Sequence, residues 1–118
     1  MSKELEKQII ELTQKYYKYI SLDHHKDRDC HWYIEKVYSY GEAPKYTAKH
    51  YGYRAEQWTS QTVDSEEDAM LLLINKLTRE INDAIKHTKR NLEEAKRNPD
   101  ETWYTAEEYE KELAVLEA

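Results

Sequence analysis

Hydrophobic positions change their period three times along this chain, and each change marks a different element. From Leu5 the apolar residues Leu5, Ile9, Leu12, Tyr16 and Tyr19/Ile20 recur every three or four positions, while Glu4, Glu6, Lys7, Glu11, Lys15 and Lys18 fill the rest. That spacing places one apolar stripe on an amphipathic helix over 1–20. The polar run Ser21 to Asp29 has no period and reads as a loop. Period two follows: His31, Tyr33, Glu35, Val37 and Ser39 on one side, Trp32, Ile34, Lys36, Tyr38 and Tyr40 on the other. This alternation predicts a strand. Gly41 to Pro44 predicts a turn, and Lys45 to about Arg54 the second arm of a hairpin. Gly52 suggests a bend before a third strand over Ala55 to Val63.

The helical period returns after Asp64. Ser65 precedes Glu66, Glu67 and Asp68, an N-cap followed by first-turn acids that suit the helix dipole. The row Met70, Ile74, Leu77, Ile81, Ala84/Ile85, Thr88, Leu92 and Ala95 then runs at spacings of three and four, broadened at its start by Leu71, Leu72 and Leu73. A helix over 65–97 is expected, roughly 48 Å long at about 1.5 Å per residue. Its first turns have the apolar width to cover a sheet, and its second half does not. Asn98-Pro99-Asp100 ends it, and Thr105 with Glu108 forms the capping box of a last helix over 105–117. Tyr109, Leu113 and Leu116, with Ala106, give that helix a narrow apolar face suited to folding back as an arm. The expected fold is α+β in a single domain, 1–118: an N-terminal helix, a small antiparallel sheet of two or three strands over 30–63, a long helix packed on the sheet, and a short C-terminal helix. The arm's long and C-terminal helices are the expected route to a homo-oligomer.

Composition sharpens this picture at one place. Nine of the eleven tyrosines lie between Tyr16 and Tyr53, and the chain has no phenylalanine. Tyrosine is favoured where a ring is half buried and its phenol meets water or a partner. The hairpin therefore reads as a contact surface, with Tyr38, Tyr40, Lys45, Tyr46, Lys49, His50, Tyr51, Tyr53 and Arg54 as the residues expected to bind. Lys36 belongs to the same alternation of cations and rings. One face of the hairpin must nevertheless serve as core beneath the helices. Rings that stack on bases and cations that neutralise phosphate would suit a nucleotide or a single strand. The same rings suit a protein surface.

Charge divides the molecule. Residues 1–63 carry ten Lys/Arg against nine Asp/Glu, and residues 64–118 carry eight against fifteen, so the net charge of -6 resides in the second half. Such a half would steer a basic partner. The element order of helix, strands and helix is similar to that of double-stranded RNA-binding domains. Those domains carry basic residues at the start of the second helix. Asp64, Glu66, Glu67 and Asp68 stand there in this chain, so the resemblance implies topology and not function.

Catalysis finds no support. With two glycines, phosphate-cradling loops are excluded, and no metalloprotease, nucleophile-elbow or EF-hand pattern occurs. Cys30 and His31 are neighbours on a predicted strand and point to opposite faces, which separates a thiol from its base. The run His24 to His31 holds the potential metal ligands His25, Cys30 and His31, but in one short stretch instead of two spaced pairs, so neither metal nor cofactor is expected. A lone cysteine, no signal peptide and no apolar run of membrane-spanning length suggest a cytoplasmic protein. The reading is a small non-enzymatic binding or inhibitory protein that occupies or sequesters a partner. In composition it resembles phage and mobile-element anti-defence proteins, among them anti-CRISPR inhibitors of host nuclease complexes. A nucleotide-binding module and a plain oligomeric scaffold are the alternatives.

Overall fold

A computed structural model of the chain describes residues 3–20, 22, 31–52, 55–102 and 104–118; of these, residues 20, 31, 51, 52 and 55–57 are placed by backbone alone. The elements run α1 (Lys3–Ile20), β1 (His31–Val37), β2 (Lys45–Gly52), β3 (Ala55–Thr59), α2 (Glu66–Arg97) and α3 (Ala106–Leu116). This is the α+β arrangement that the periodicity predicts, with a three-stranded antiparallel sheet of order β1-β2-β3. Two compact units make up the chain, Met1–Thr78 and Arg79–Ala118, with α2 contributing to both.

The first unit is built on one face of the sheet. Trp32 pairs with His50 and His50 with Trp58; Ile34 pairs with Ala48, and Lys36 with Tyr46. Residues paired across antiparallel strands share a face, so these side chains form one surface. Ile9 of α1 and Ala69, Met70, Leu73 and Leu77 of α2 close over it, all buried together with Ala48. Leu5, Leu12, Trp32, Ile34, Tyr46, Trp58, Val63 and Ile74 pack around this cluster. Ala48 is fully buried at the centre. A larger side chain there would hold the helices away from the sheet. Of the three leucines expected to broaden the α2 stripe, Leu73 is core, Leu72 is half-buried and Leu71 is exposed. A helix turns 100° per residue, so three consecutive positions cannot all face one sheet.

The far side of β2 is satisfied along most of its length. Between His50 and Tyr51 the register shifts, leaving Gln57 as the extra residue of a bulge in β3. Beyond Thr59 the Ser60 hydroxyl accepts a bond from the Ala48 N–H (2.9 Å), and the Ser60 N–H donates back to the Ala48 carbonyl. Tyr46 and Val63 then exchange two backbone bonds, of 2.8 and 2.9 Å. The predicted third strand to Val63 is therefore two pieces, because the serine side chain takes over where the backbone leaves the ladder.

Helix α2 starts as expected, with the Ser65 hydroxyl accepting from the Asp68 N–H at 3.1 Å. In the second unit α3 folds back on the later turns of α2. The Lys89 ammonium meets the Glu117 carboxylate at 3.7 Å, and Thr88, Ala95, Tyr109, Glu112 and Leu116 are buried. Thr105 caps α3 by accepting from the Glu108 N–H (3.2 Å). Burial pushes the Tyr109 phenol above its ordinary range, and the nearby carboxylate of Glu112 adds to the shift. Leu113, expected on the buried face, is half-buried, while Glu112 beside it is buried. Among the described residues no helix is long and apolar enough to cross a membrane.

Candidate functional site

Strand β1 ends at Val37, three residues before the alternation in the sequence does. Pro44 has no N–H to give to a ladder, so pairing begins at Lys45, whose partner is Val37. Tyr38 to Pro44 are thus left as the tip of the hairpin, not as strand. Within it the Glu42 N–H donates to the Ser39 carbonyl at 3.1 Å, closing a four-residue turn. Gly41 takes φ 75°, the left-handed value that the third position of a type II turn requires. An added Cβ at Gly41 would meet nothing within 4 Å, so its role is conformational and not steric.

This turn presents two tyrosines to solvent. Tyr40 is 106% exposed and Tyr38 is 73% exposed, the two most exposed large hydrophobic residues of the described chain. The wholly exposed Tyr40 ring contributes nothing to packing, so the tip is not stabilised by holding it there. Lys36 lies beside Tyr38, its ammonium 5.4 Å from the centre of that ring and 6.0 Å from that of Tyr46. Hydrogen bonding to the Tyr38 phenol raises the Lys36 ammonium above its ordinary value. A cation between two rings orients both.

The remaining residues expected to bind are distributed differently. Lys45 donates to Asp64 at 2.6 Å, which raises the lysine and lowers the carboxyl from their ordinary values. Both lie in the wall of a depression of about 460 Å³ that Glu42, Ala43 and Pro44 complete. Lys49 reaches Glu35 of β1 at 3.0 Å, on the sheet face opposite the core. His50 is only 2% exposed and lies under α1, its ring 5.7 Å from that of Tyr16 in an edge-on arrangement. Tyr46 belongs to the shell of the core. Tyr51 is placed by backbone register, opposite His31 on one side and Glu56 on the other. Tyr53 and Arg54 lie outside the described residues.

The nine positions therefore do not form one surface. Tyr38 and Tyr46 flank Lys36, Tyr40 stands out in solvent, Lys45 and Lys49 are held by carboxylates, and His50 is core. The alternation in the sequence already contains Lys36 but does not single it out among five cations. Asp64 as the partner of Lys45 carries no local signal, since the two are nineteen positions apart. Among the described residues no group of three His, Cys, Asp or Glu side chains is placed to hold a metal ion, and His24, His25 and Cys30 lie outside them. No known family model matches the chain, and no curated protein or solved structure matches it either.

Proposed function

We propose that this chain is a non-enzymatic binding protein that occupies a protein partner, and that the hairpin tip from Tyr38 to Pro44 is the part that engages it. One observation carries the reading: the hairpin tip holds Tyr40 wholly in solvent beside a backbone shape set by Gly41, and the largely exposed Tyr38 ring next to it is positioned by Lys36. Exposed tyrosines on a pre-shaped support lose little freedom on binding, and tyrosine is enriched among the few residues that dominate interface energy. The nucleotide reading has less support. It needs cations available to phosphate, whereas Lys45 and Lys49 face Asp64 and Glu35, His50 is buried, and Lys36 is engaged with the Tyr38 and Tyr46 rings. The acidic second half adds long-range attraction for a basic partner. A host nuclease complex blocked by a phage or mobile-element protein is a partner of that kind, and it is the setting we favour.

Self-association through the arm has a narrower base. Thr88, Ala95, Tyr109 and Leu116 are already buried within their own unit, and Ile85, Leu92 and Leu113 are half-buried.

Site-specific photocrosslinking tests the proposal directly. A benzophenone amino acid in place of Tyr40 is expected to capture a discrete protein in the cell of origin, and Tyr38→Ala in the same chain to weaken that capture about tenfold or more. The same probe at Tyr17, half-exposed on α1, is the control. Capture of nucleic acid at Tyr40, or equal capture at Tyr17, would overturn the reading.

A further inference from the structure

The two edges of the sheet are treated differently. β3 has five residues, and a bulge separates it from a regular ladder. β1 has seven residues in unbroken register with β2, from His31↔Tyr51 to Val37↔Lys45, and contains neither proline nor glycine. Its other side has no strand partner among the described residues. Proteins blunt exposed edges with short strands, bulges, prolines or charges, because a long regular edge templates another strand. Here β3 carries two of those devices. β1 carries only the adjacent charges Glu35 and Lys36, and Trp32, Tyr33, Ile34 and Val37 along it are partly buried and not closed off from solvent.

These residues match their own reverse. With β1 turned antiparallel to itself and centred on Ile34, all seven residues overlap. Tyr33 then lies opposite Glu35 and Trp32 opposite Lys36, each pair occurring twice. No like charges are opposed in this register. Moving the centre to Glu35 or to Lys36 would set carboxylate against carboxylate or ammonium against ammonium, which is unfavourable on one sheet face. A centre between two residues would turn core-facing side chains away from the core face.

We propose that β1 is a dimer interface, pairing antiparallel with β1 of a second copy about a two-fold axis at Ile34 and joining two three-stranded sheets into one of six strands. Tyr33 of one copy then stands beside the Glu35 carboxylate that Lys49 holds in the other, and Trp32 of the second copy adds a third ring around Lys36, which already lies over Tyr38 and Tyr46. The tip beyond Val37 takes no part in the strand pairing and touches it only through Lys36.

The test uses sedimentation of the full chain on serial dilution, with Tyr33→Glu as the main variant. Within one chain Tyr33 is paired directly with Lys49, so a carboxylate at position 33 meets a cation and the fold is retained. Across the dimer it meets Glu35 of the second copy, twice. The wild type is expected to sediment at twice the chain mass, and Tyr33→Glu to raise the dissociation constant at least about tenfold, with the two melting curves coinciding at dilutions where both chains are monomeric. Leu92→Glu on the arm is expected to leave the dimer intact. Amide exchange on the wild type supplies a readout that needs no variant: a paired β1 protects successive N–H groups, and dilution removes protection from alternate ones. A monomeric wild type, a dimer indifferent to Tyr33→Glu, or a dimer lost with Leu92→Glu would each overturn the proposal.

Discussion

Ile9 and Ile10 are neighbours of the same chemistry on one helix, and the structure assigns them opposite fates. Ile9 is fully buried in the cluster with Ala48, Met70, Leu73 and Leu77, whereas Ile10 is 43% exposed. Ile9→Ala removes three methylene equivalents from the core, worth roughly 2.4 kcal/mol of transfer free energy at about 0.8 kcal/mol each. The cavity left between α1 and the sheet adds to this, since Ala48 opposite is too small to fill it, and the expected total is about 3–4 kcal/mol. Ile10→Ala loses a partly hydrated side chain and gains a better helix former, so its expected cost is below about 1 kcal/mol. Urea unfolding followed by circular dichroism measures both. With a slope of about 2 kcal/mol per molar, Ile9→Ala should lower the midpoint by roughly 1.5–2 M and Ile10→Ala by less than about 0.5 M. Equal shifts for the two variants would refute the docking of α1 by its Leu5–Ile9–Leu12 face.

Two further outcomes test the tip. Gly41→Ala meets no atom but forces a side chain into φ 75°, so it should cost about 1–2 kcal/mol in the same urea assay; a neutral result would mean that the turn is not of this type. The Lys45–Asp64 contact should be present at neutral pH and lost in acid, because Asp64 titrates lower when folded than its ordinary 3.8: the contribution is complete above that value and disappears as pH falls through the lowered one. Following the Asp64 carboxyl by NMR titration measures this, and Lys45→Met should return it toward the ordinary value; a carboxyl indifferent to that change would show that Lys45 is not its partner.

The helices were legible because a 3.6-residue period is a local property. Ile9, Leu73 and Leu77 are core where the stripes put them, and Ser65 and Thr105 cap where their side chains allow. The strands were legible for the same reason, at period two. The end of β1 was not, since the alternation continues through Tyr38 and Tyr40 while the ladder needs a partner that Pro44 cannot supply. A strand is a property of two segments, and its length is set by the shorter agreement between them.

The candidate site was legible only as a region. Tyrosine density pointed to the hairpin, but both of its faces carry rings and cations, and local pattern cannot tell which face the helices cover. Docking of α1 and α2 decided it: His50 and Tyr46 went to the core side, Lys49 to the opposite face with Glu35, and Lys45 to Asp64. What the amino-acid order determined alone was the periods and the caps, together with a turn near Gly41, whose closing bond joins Ser39 and Glu42 and not the tetrad Gly41 to Pro44. What tertiary structure decided was exposure, because burial depends on what arrives from elsewhere in the chain. Tyr40 and His50 illustrate the difference: ten positions apart in one aromatic stretch, one is wholly exposed and the other is closed in by a helix that begins at Lys3, far back along the chain.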